Sequence, residues 1–179
     1  MKKIDSLKQV TFKTYLEFEK FLKENEGDIT KVDETVLAYK ILNIFYGLTI
    51  SDIKKLSIEE VDEYLEGIFN AVHEPLTLHN TLTKDGIVYG LIPNFEKVKA
   101  GELIELDSLL AEEDWISIMS ILYRPVIGGI DKKGNYMIEP YEEYSDTLFE
   151  DISAYDVLGC RNFFTKSFQI LSQDTHIFI

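Results

Sequence analysis

The chain has only one cysteine, Cys160, among its 179 residues. A single thiol excludes a disulfide within the chain and is typical of proteins in a reducing cytosol. Cys160 falls on the apolar stripe of a predicted helix, where no base or electropositive neighbour is expected to activate it. We therefore predict a buried, unreactive thiol rather than a nucleophile.

Long apolar runs are missing as well. No stretch approaches the ~20 consecutive apolar residues that a membrane-spanning helix needs. The opening residues, MKKIDSLKQV, also lack the apolar centre of a secretory signal. We expect an intracellular protein that does not span a membrane.

Basic residues are few, since 18 Lys and Arg stand against 32 Asp and Glu and give a net charge of -14. Two long stretches contain no basic residue, one between Lys99 and Arg124 and one between Lys133 and Arg161. A field of this sign repels nucleic acids and anionic membranes and favours partners with basic faces. The alternative, that the acidic surface only keeps the protein soluble, stays open.

Groups that carry chemistry are also scarce. The histidines are His73, His79 and His176, and the cluster around His73 and His79 has the spacing of no zinc motif. The Gly-Gly pair at 128–129 is not followed by the Lys-Ser or Lys-Thr of a phosphate loop. Adjacent carboxylates are expected by chance at this acid content. We therefore predict no enzymatic activity, no metal and no cofactor.

Apolar residues are plentiful, at 45% of the chain, so we expect a protein that folds around a sizeable core. The apolar residues mostly recur at helical spacing, and Ser57 with Glu60 forms the pattern of a capping box. We predict a single, mainly α domain over residues 1–179 with one inserted β-hairpin. The predicted helices cover about residues 11–24, 33–46, 58–73, 100–110, 114–123 and 153–173.

The hairpin is predicted at about residues 76–92, where apolar residues alternate with polar ones. Asp85-Gly86 is a preferred two-residue turn, because both positions must tolerate a positive φ. Pro125 is interpreted as the end of the helix over 114–123. The following region is expected to be a loop with a small strand pair at most, at the β-like run Tyr136 to Ile138.

Aromatic residues in and next to the acidic stretches of the sequence are candidates for a partner-binding surface. Core packing is the alternative, and we favour it for Trp115, Phe164 and Phe168. An interface is favoured near the C-terminus because the tail ends in apolar residues. The predicted partner-binding residues are Tyr141, Glu142, Glu143, Tyr144, Phe163 and Phe178.

Three segments resemble small proteins encoded in the structural gene clusters of tailed bacteriophages. They are ILNIFYGLTISDIKKLSIEEVDEYL (41–65), DGIVYGLIPNFEKVKAGELIELDSLL (85–110), and DWISIMSILYRPV (114–126) with NYMIEPYEEY (135–144). A fourth segment, SAYDVLGCRNFFTKSFQIL (153–171), resembles these proteins more weakly. The proteins they resemble look like tail assembly chaperones, which bind tape-measure or tail-tube proteins and perform no chemistry.

The resemblance implies a protein of the host cytoplasm whose partners are other phage structural proteins. The alternative is a structural component of the virion, such as a connector, capsid or tail subunit. A small host-modulating enzyme is a third and less favoured class. Self-association and presence in the mature virion are left open.

Overall fold

A computed structural model of the chain describes residues 2–25, 34–94 and 98–174, with side chains up to residue 165. The chain divides into two compact units. One unit comprises Met1–Pro75 with Ser153–Tyr155, and the other comprises Leu76–Ile152 with Asp156–Ile179. The organisation of residues 1–179 as a single domain stays a prediction.

The first unit is helical. Its elements are a short 3-10 helix at Leu7–Gln9, α1 (Phe12–Glu24), α2 (Glu34–Tyr46), α3 (Ile50–Ile53) and α4 (Ile58–Val72). Helices α1, α2 and α4 lie within one residue of their predicted positions. The short 3-10 helix was not predicted, because three residues carry no periodicity.

Side-chain caps explain where these helices begin. The Thr11 hydroxyl accepts a hydrogen bond from the backbone N–H of Thr14 at the start of α1. The predicted capping box of Ser57 and Glu60 is present at the start of α4. An equivalent box of Thr49 and Asp52 starts α3. Each box satisfies backbone N–H groups that the first helical turn leaves without partners.

The core of the first unit includes Phe12, Leu42, Ile68 and Ala71, all of which are buried. Residues before α1 are held to the end of α4 by one carboxylate. Glu74 accepts hydrogen bonds from the Ser6 hydroxyl at 2.9 Å and the Leu7 backbone N–H at 2.5 Å.

The second unit contains a four-stranded antiparallel sheet in the order β1-β2-β3-β4. The strands are β1 (Thr81–Lys84), β2 (Ile87–Leu91), β3 (Tyr123–Ile127) and β4 (Met137–Ile138). Asp85 and Gly86 have positive φ, as the predicted two-residue turn between β1 and β2 requires.

The prediction that the hairpin begins at residue 76 is wrong, because β1 begins at Thr81. Next to the strand, the Asn80 carbonyl still accepts the Leu91 N–H at 2.8 Å, and tyrosine hydroxyls also bond to this segment. The Tyr123 hydroxyl donates to the His79 carbonyl at 2.5 Å, and the Tyr136 hydroxyl donates to the Asn80 carbonyl at 2.8 Å. Alternating apolar residues alone did not distinguish this extended segment from a strand.

Strand β3 was not predicted, and Tyr123 belongs to it rather than to the helix predicted over 114–123. Pro125 lies opposite Tyr89 of β2 within the sheet. Proline lacks a backbone donor, yet its carbonyl still accepts, and here it receives the Glu139 N–H at 3.0 Å. Pro125 was interpreted only as the end of a helix, although its fixed φ is also compatible with a strand.

The described residues of the second unit also form the helices α5 (Ala100–Ala111), α6 (Trp115–Leu122) and α7. Helix α7 spans Ala154–Asp174, and its first two residues belong to the first unit. Trp115 and Cys160 are buried, as predicted, while Phe164 is half-buried. The side chain of Phe168 lies outside the described residues.

The mainly α fold class with a minor β part is confirmed. The β part is larger than the one predicted hairpin, because β3 and β4 extend it. Within the described residues, no helix has both the length and the hydropathy needed to cross a bilayer.

Candidate partner-binding site

The second unit contains a cavity of about 570 Å³ beside the segment 139–145, which we call the acidic loop. This loop carries three exposed carboxylates, those of Glu139, Glu142 and Glu143. The cavity is also lined by Tyr89 of β2 and by Arg124 of β3. Aromatic, acidic and basic groups therefore meet in one cavity.

Hydrogen bonds donated by backbone N–H groups hold the acidic loop at both ends. At its start, the Glu139 N–H donates to the Pro125 carbonyl of β3. At its end, the Ser145 N–H donates to the Ser120 hydroxyl at 2.8 Å. Ser120 lies on α6, is buried, and donates its own proton to the Ser117 carbonyl at 2.8 Å. The loop is thus attached to β3 at one end and to the buried helix α6 at the other.

Tyr141 is the fixed point in the middle of the loop. Its hydroxyl donates to the Glu105 carboxylate of α5. Its ring centre lies 5.9 Å from the guanidinium carbon of Arg124, within the range of a cation–π interaction. These two contacts orient the half-buried ring beside the cavity.

Arg124 is joined to Glu102 by a buried ion pair. Nη2 of Arg124 lies 3.5 Å from Oε2 of Glu102, and their side chains are 12% and 3% exposed. Burial lowers the pKa of the Arg124 guanidinium, and the charge of Glu102 opposes that effect. Within the described residues, Oε2 of Glu102 and Nε of Arg124 have no hydrogen-bond partner. An incompletely bonded buried pair of this kind is a poor source of stability.

The surface around the cavity favours a cationic ligand group. The positive charge of Arg124 is matched by buried Glu102, so the exposed carboxylates of Glu142 and Glu143 leave the acidic loop negative. A lysine or arginine side chain of a partner would find carboxylates and the ring of Tyr141 together.

Other side chains with reactive potential are in structural settings. Cys160 is buried, and burial raises the pKa of its thiol, as expected for an inert cysteine. Nδ1 of His79 lies 2.7 Å from a carboxylate oxygen of Asp156. In the part of the chain that the structure describes, no three His, Cys, Asp or Glu residues are grouped to hold a metal ion.

The structure brings together three of the predicted partner-binding residues. Tyr141, Glu142 and Glu143 line the cavity, whereas Tyr144 is 42% exposed and does not line it. Phe163, on α7, is also 42% exposed, and its ring centre lies 5.4 Å from that of Phe164. Phe178 lies outside the described residues. The roles of all these residues in partner binding stay predictions.

Sequence reasoning missed Arg124, Glu102 and Glu105 as parts of this site. The available signal was that Arg124 is the first basic residue after Lys99. A single cation that follows a long acidic stretch is a candidate for an ion pair with a carboxylate. Glu102 and Glu105 resembled ordinary surface acids of α5. Nothing in their spacing indicated that one would be buried and the other bonded to Tyr141.

No protein-family model, curated protein or solved structure matches this chain. The resemblance to tailed-phage proteins therefore depends on the sequence patterns within residues 41–171 alone.

Proposed function

We propose that this chain is a non-catalytic assembly factor of a tailed bacteriophage, of the tail assembly chaperone type. Its partners would be other structural proteins of the tape-measure or tail-tube kind, bound through their basic side chains. The supporting observation is the cavity at which Tyr141, Glu142 and Glu143 meet. A fixed aromatic ring beside exposed carboxylates is suited to a lysine or arginine of a protein partner.

The charge of the whole chain supports the same proposal. A net charge of -14 accelerates encounter with a basic protein and disfavours nucleic acid. Long-range attraction by itself gives little lasting affinity, because exposed ion pairs are weak. Tyr141 supplies the short-range contact, since aromatic residues commonly carry much of the binding energy of an interface.

Co-expression with tape-measure and tail-tube proteins tests this proposal. A tagged chain should retain at least one of them in a pull-down, and the reversal Glu142→Lys with Glu143→Lys should reduce the recovered amount. The matched control is Asp107→Lys with Glu112→Lys, which changes the net charge equally at two exposed positions of α5 and its end. Equal recovery with both double variants would reject the acidic loop as the binding site.

Mass spectrometry of purified particles separates a chaperone from a structural subunit. A chaperone acts during assembly and leaves, so the chain should be absent from mature virions. Presence in a fixed ratio to the tail or capsid proteins would favour a connector, capsid or tail subunit and would contradict the chaperone role.

A further inference from the structure

The first unit carries a second surface, an apolar groove of about 530 Å³ between α1, α2 and α4. Most of its lining is apolar. Representative lining residues are Phe18 of α1, Leu37 and Ile41 of α2, and Leu65, Phe69 and Val72 of α4.

The groove is built from residues that repeat at helical spacing. On α4, Leu65, Phe69 and Val72 follow each other by four and three positions and therefore lie on one face. The Phe69 ring is 61% exposed, and its centre lies 4.2 Å from that of the His73 ring. A large exposed ring within an apolar groove is typical of a docking surface for another segment.

The charged residues of the groove indicate which kind of segment fits. Glu34 and Glu66 line it and are exposed, and no Lys or Arg is among its described lining residues. Glu66 also lies 3.9 Å from Lys3, but both side chains are well exposed and such a pair is weak. An occupant with an apolar face and flanking basic residues would satisfy both the groove and its acidic rim.

A second copy of this chain is a poor occupant by the same reasoning. It would bring another net charge of -14 and the same acidic rim to the contact. Like charges placed opposite each other across an interface disfavour association.

We infer that this groove binds an amphipathic helix of another protein, whose apolar stripe enters the groove and whose lysines or arginines face Glu34 and Glu66. Helices that dock in grooves do so through apolar anchors spaced by three and four residues. The inference uses the first unit alone. It therefore stands or falls separately from the acidic loop and from the proposed role in phage assembly.

The test uses a fluorescein-labelled synthetic peptide of about 18 residues, which is long enough to form a helix in contact with the groove. Leucines occupy one face and lysines the other, and a second peptide carries glutamates in place of the lysines. Fluorescence anisotropy with the full chain should show saturable binding of the lysine peptide. The glutamate peptide should bind at least about tenfold more weakly, because it meets an acidic rim.

Two pairs of variants locate the binding. Phe69→Ser should weaken binding of the lysine peptide about tenfold or more. Its control is Ile58→Ser, at an 82% exposed position of the same helix that does not line the groove. This control should leave binding unchanged. Glu66→Lys should weaken it more than Glu112→Lys, which makes the same charge change outside the groove.

Three results would overturn the inference. One is an absence of binding, as expected if the groove is filled from elsewhere in the chain. Another is equal loss in Phe69→Ser and Ile58→Ser, which indicates non-specific adsorption. The third is a dimer in sedimentation velocity that Phe69→Ser converts to a monomer, which would assign the groove to a second copy. None of these results bears on the acidic loop, whose own test is the pull-down with Glu142 and Glu143 reversed.

Discussion

At the scale of single residues, the ion pair of Arg124 and Glu102 makes the sharpest prediction about stability. Arg124→Met removes the charge that faces a carboxylate only 3% exposed. We expect a loss of about 3 kcal/mol in the free energy of unfolding, because a buried charge without its counterion is strongly destabilising. Urea denaturation of the full chain measures this loss.

The double variant Arg124→Met with Glu102→Met is the matched control. Apolar side chains of similar volume often replace a buried pair without loss, so most of the stability should return. A double variant as unstable as Arg124→Met would show that packing of the guanidinium, rather than charge, stabilises this part of the unit.

Gly159 gives a second prediction at this scale. A Cβ atom at this position of α7 would collide with the backbone carbonyl of Thr77, which no side-chain rotation relieves. Gly159→Ala should lower the free energy of unfolding by about 1 to 3 kcal/mol, the usual cost of overpacking. Gly101→Ala is the control, because nothing lies within 4 Å of its added methyl group on α5. That variant should instead raise stability by about 0.5 to 1 kcal/mol. Thermal melts measure both variants. Melting temperatures that change alike in Gly159→Ala and Gly101→Ala would contradict the packing of Thr77 on α7.

At the scale of elements, the acidic loop depends on its attachment to α6. Ser120→Ala removes the acceptor of the Ser145 N–H. We expect faster hydrogen exchange for the amide of Ser145 and its neighbours, with a stability loss of about 1 kcal/mol for one lost hydrogen bond. Ser108→Ala, at an exposed position of α5, is the control: it should leave the exchange of Ser145 unchanged and should not lower stability, because alanine is the better helix former. Unchanged exchange in Ser120→Ala would mean that other contacts hold the loop.

The helices were predictable because local features determine them. The capping box of Ser57 and Glu60, and the apolar stripe behind it, define α4 without information from elsewhere in the chain. Strand β3 was not predictable in this way, because its pairing with β2 joins residues more than 30 positions apart, such as Tyr89 and Pro125. Five residues also contain too little alternation of apolar and polar side chains to predict a strand when one of them is a proline.

In the candidate site, too, residues close together in the sequence could be predicted, whereas contacts between distant residues could not. The residues of the acidic loop were predicted to bind a partner because aromatic and acidic residues cluster there in the sequence. Their anchors were not found, because Glu105, Ser120 and Arg124 approach the loop only through the fold. Composition therefore indicated the chemistry of the surface, while the geometry of the cavity needed the structure.

Across the chain as a whole, negative charge and its distribution are the features on which both proposed binding surfaces depend. The acidic loop and the groove lie in different units, and each combines apolar or aromatic groups with carboxylates. We therefore expect both surfaces to favour basic protein partners over nucleic acid. In each case long-range attraction should set the rate of association, while apolar contact should set the rate of dissociation.

We propose to test recognition of a basic partner by measuring the rate at which the chain associates with the protein that it retains on co-expression, if one is retained. Stopped-flow measurements over a range of salt concentrations should give an association rate that falls as salt rises, because screening removes the long-range attraction. Glu142→Lys with Glu143→Lys should slow association at low salt about tenfold and change dissociation little. Asp107→Lys with Glu112→Lys should have a clearly smaller effect. An association rate that is independent of salt, or equal in the two double variants, would contradict the claim that the acidic loop recognises a basic partner.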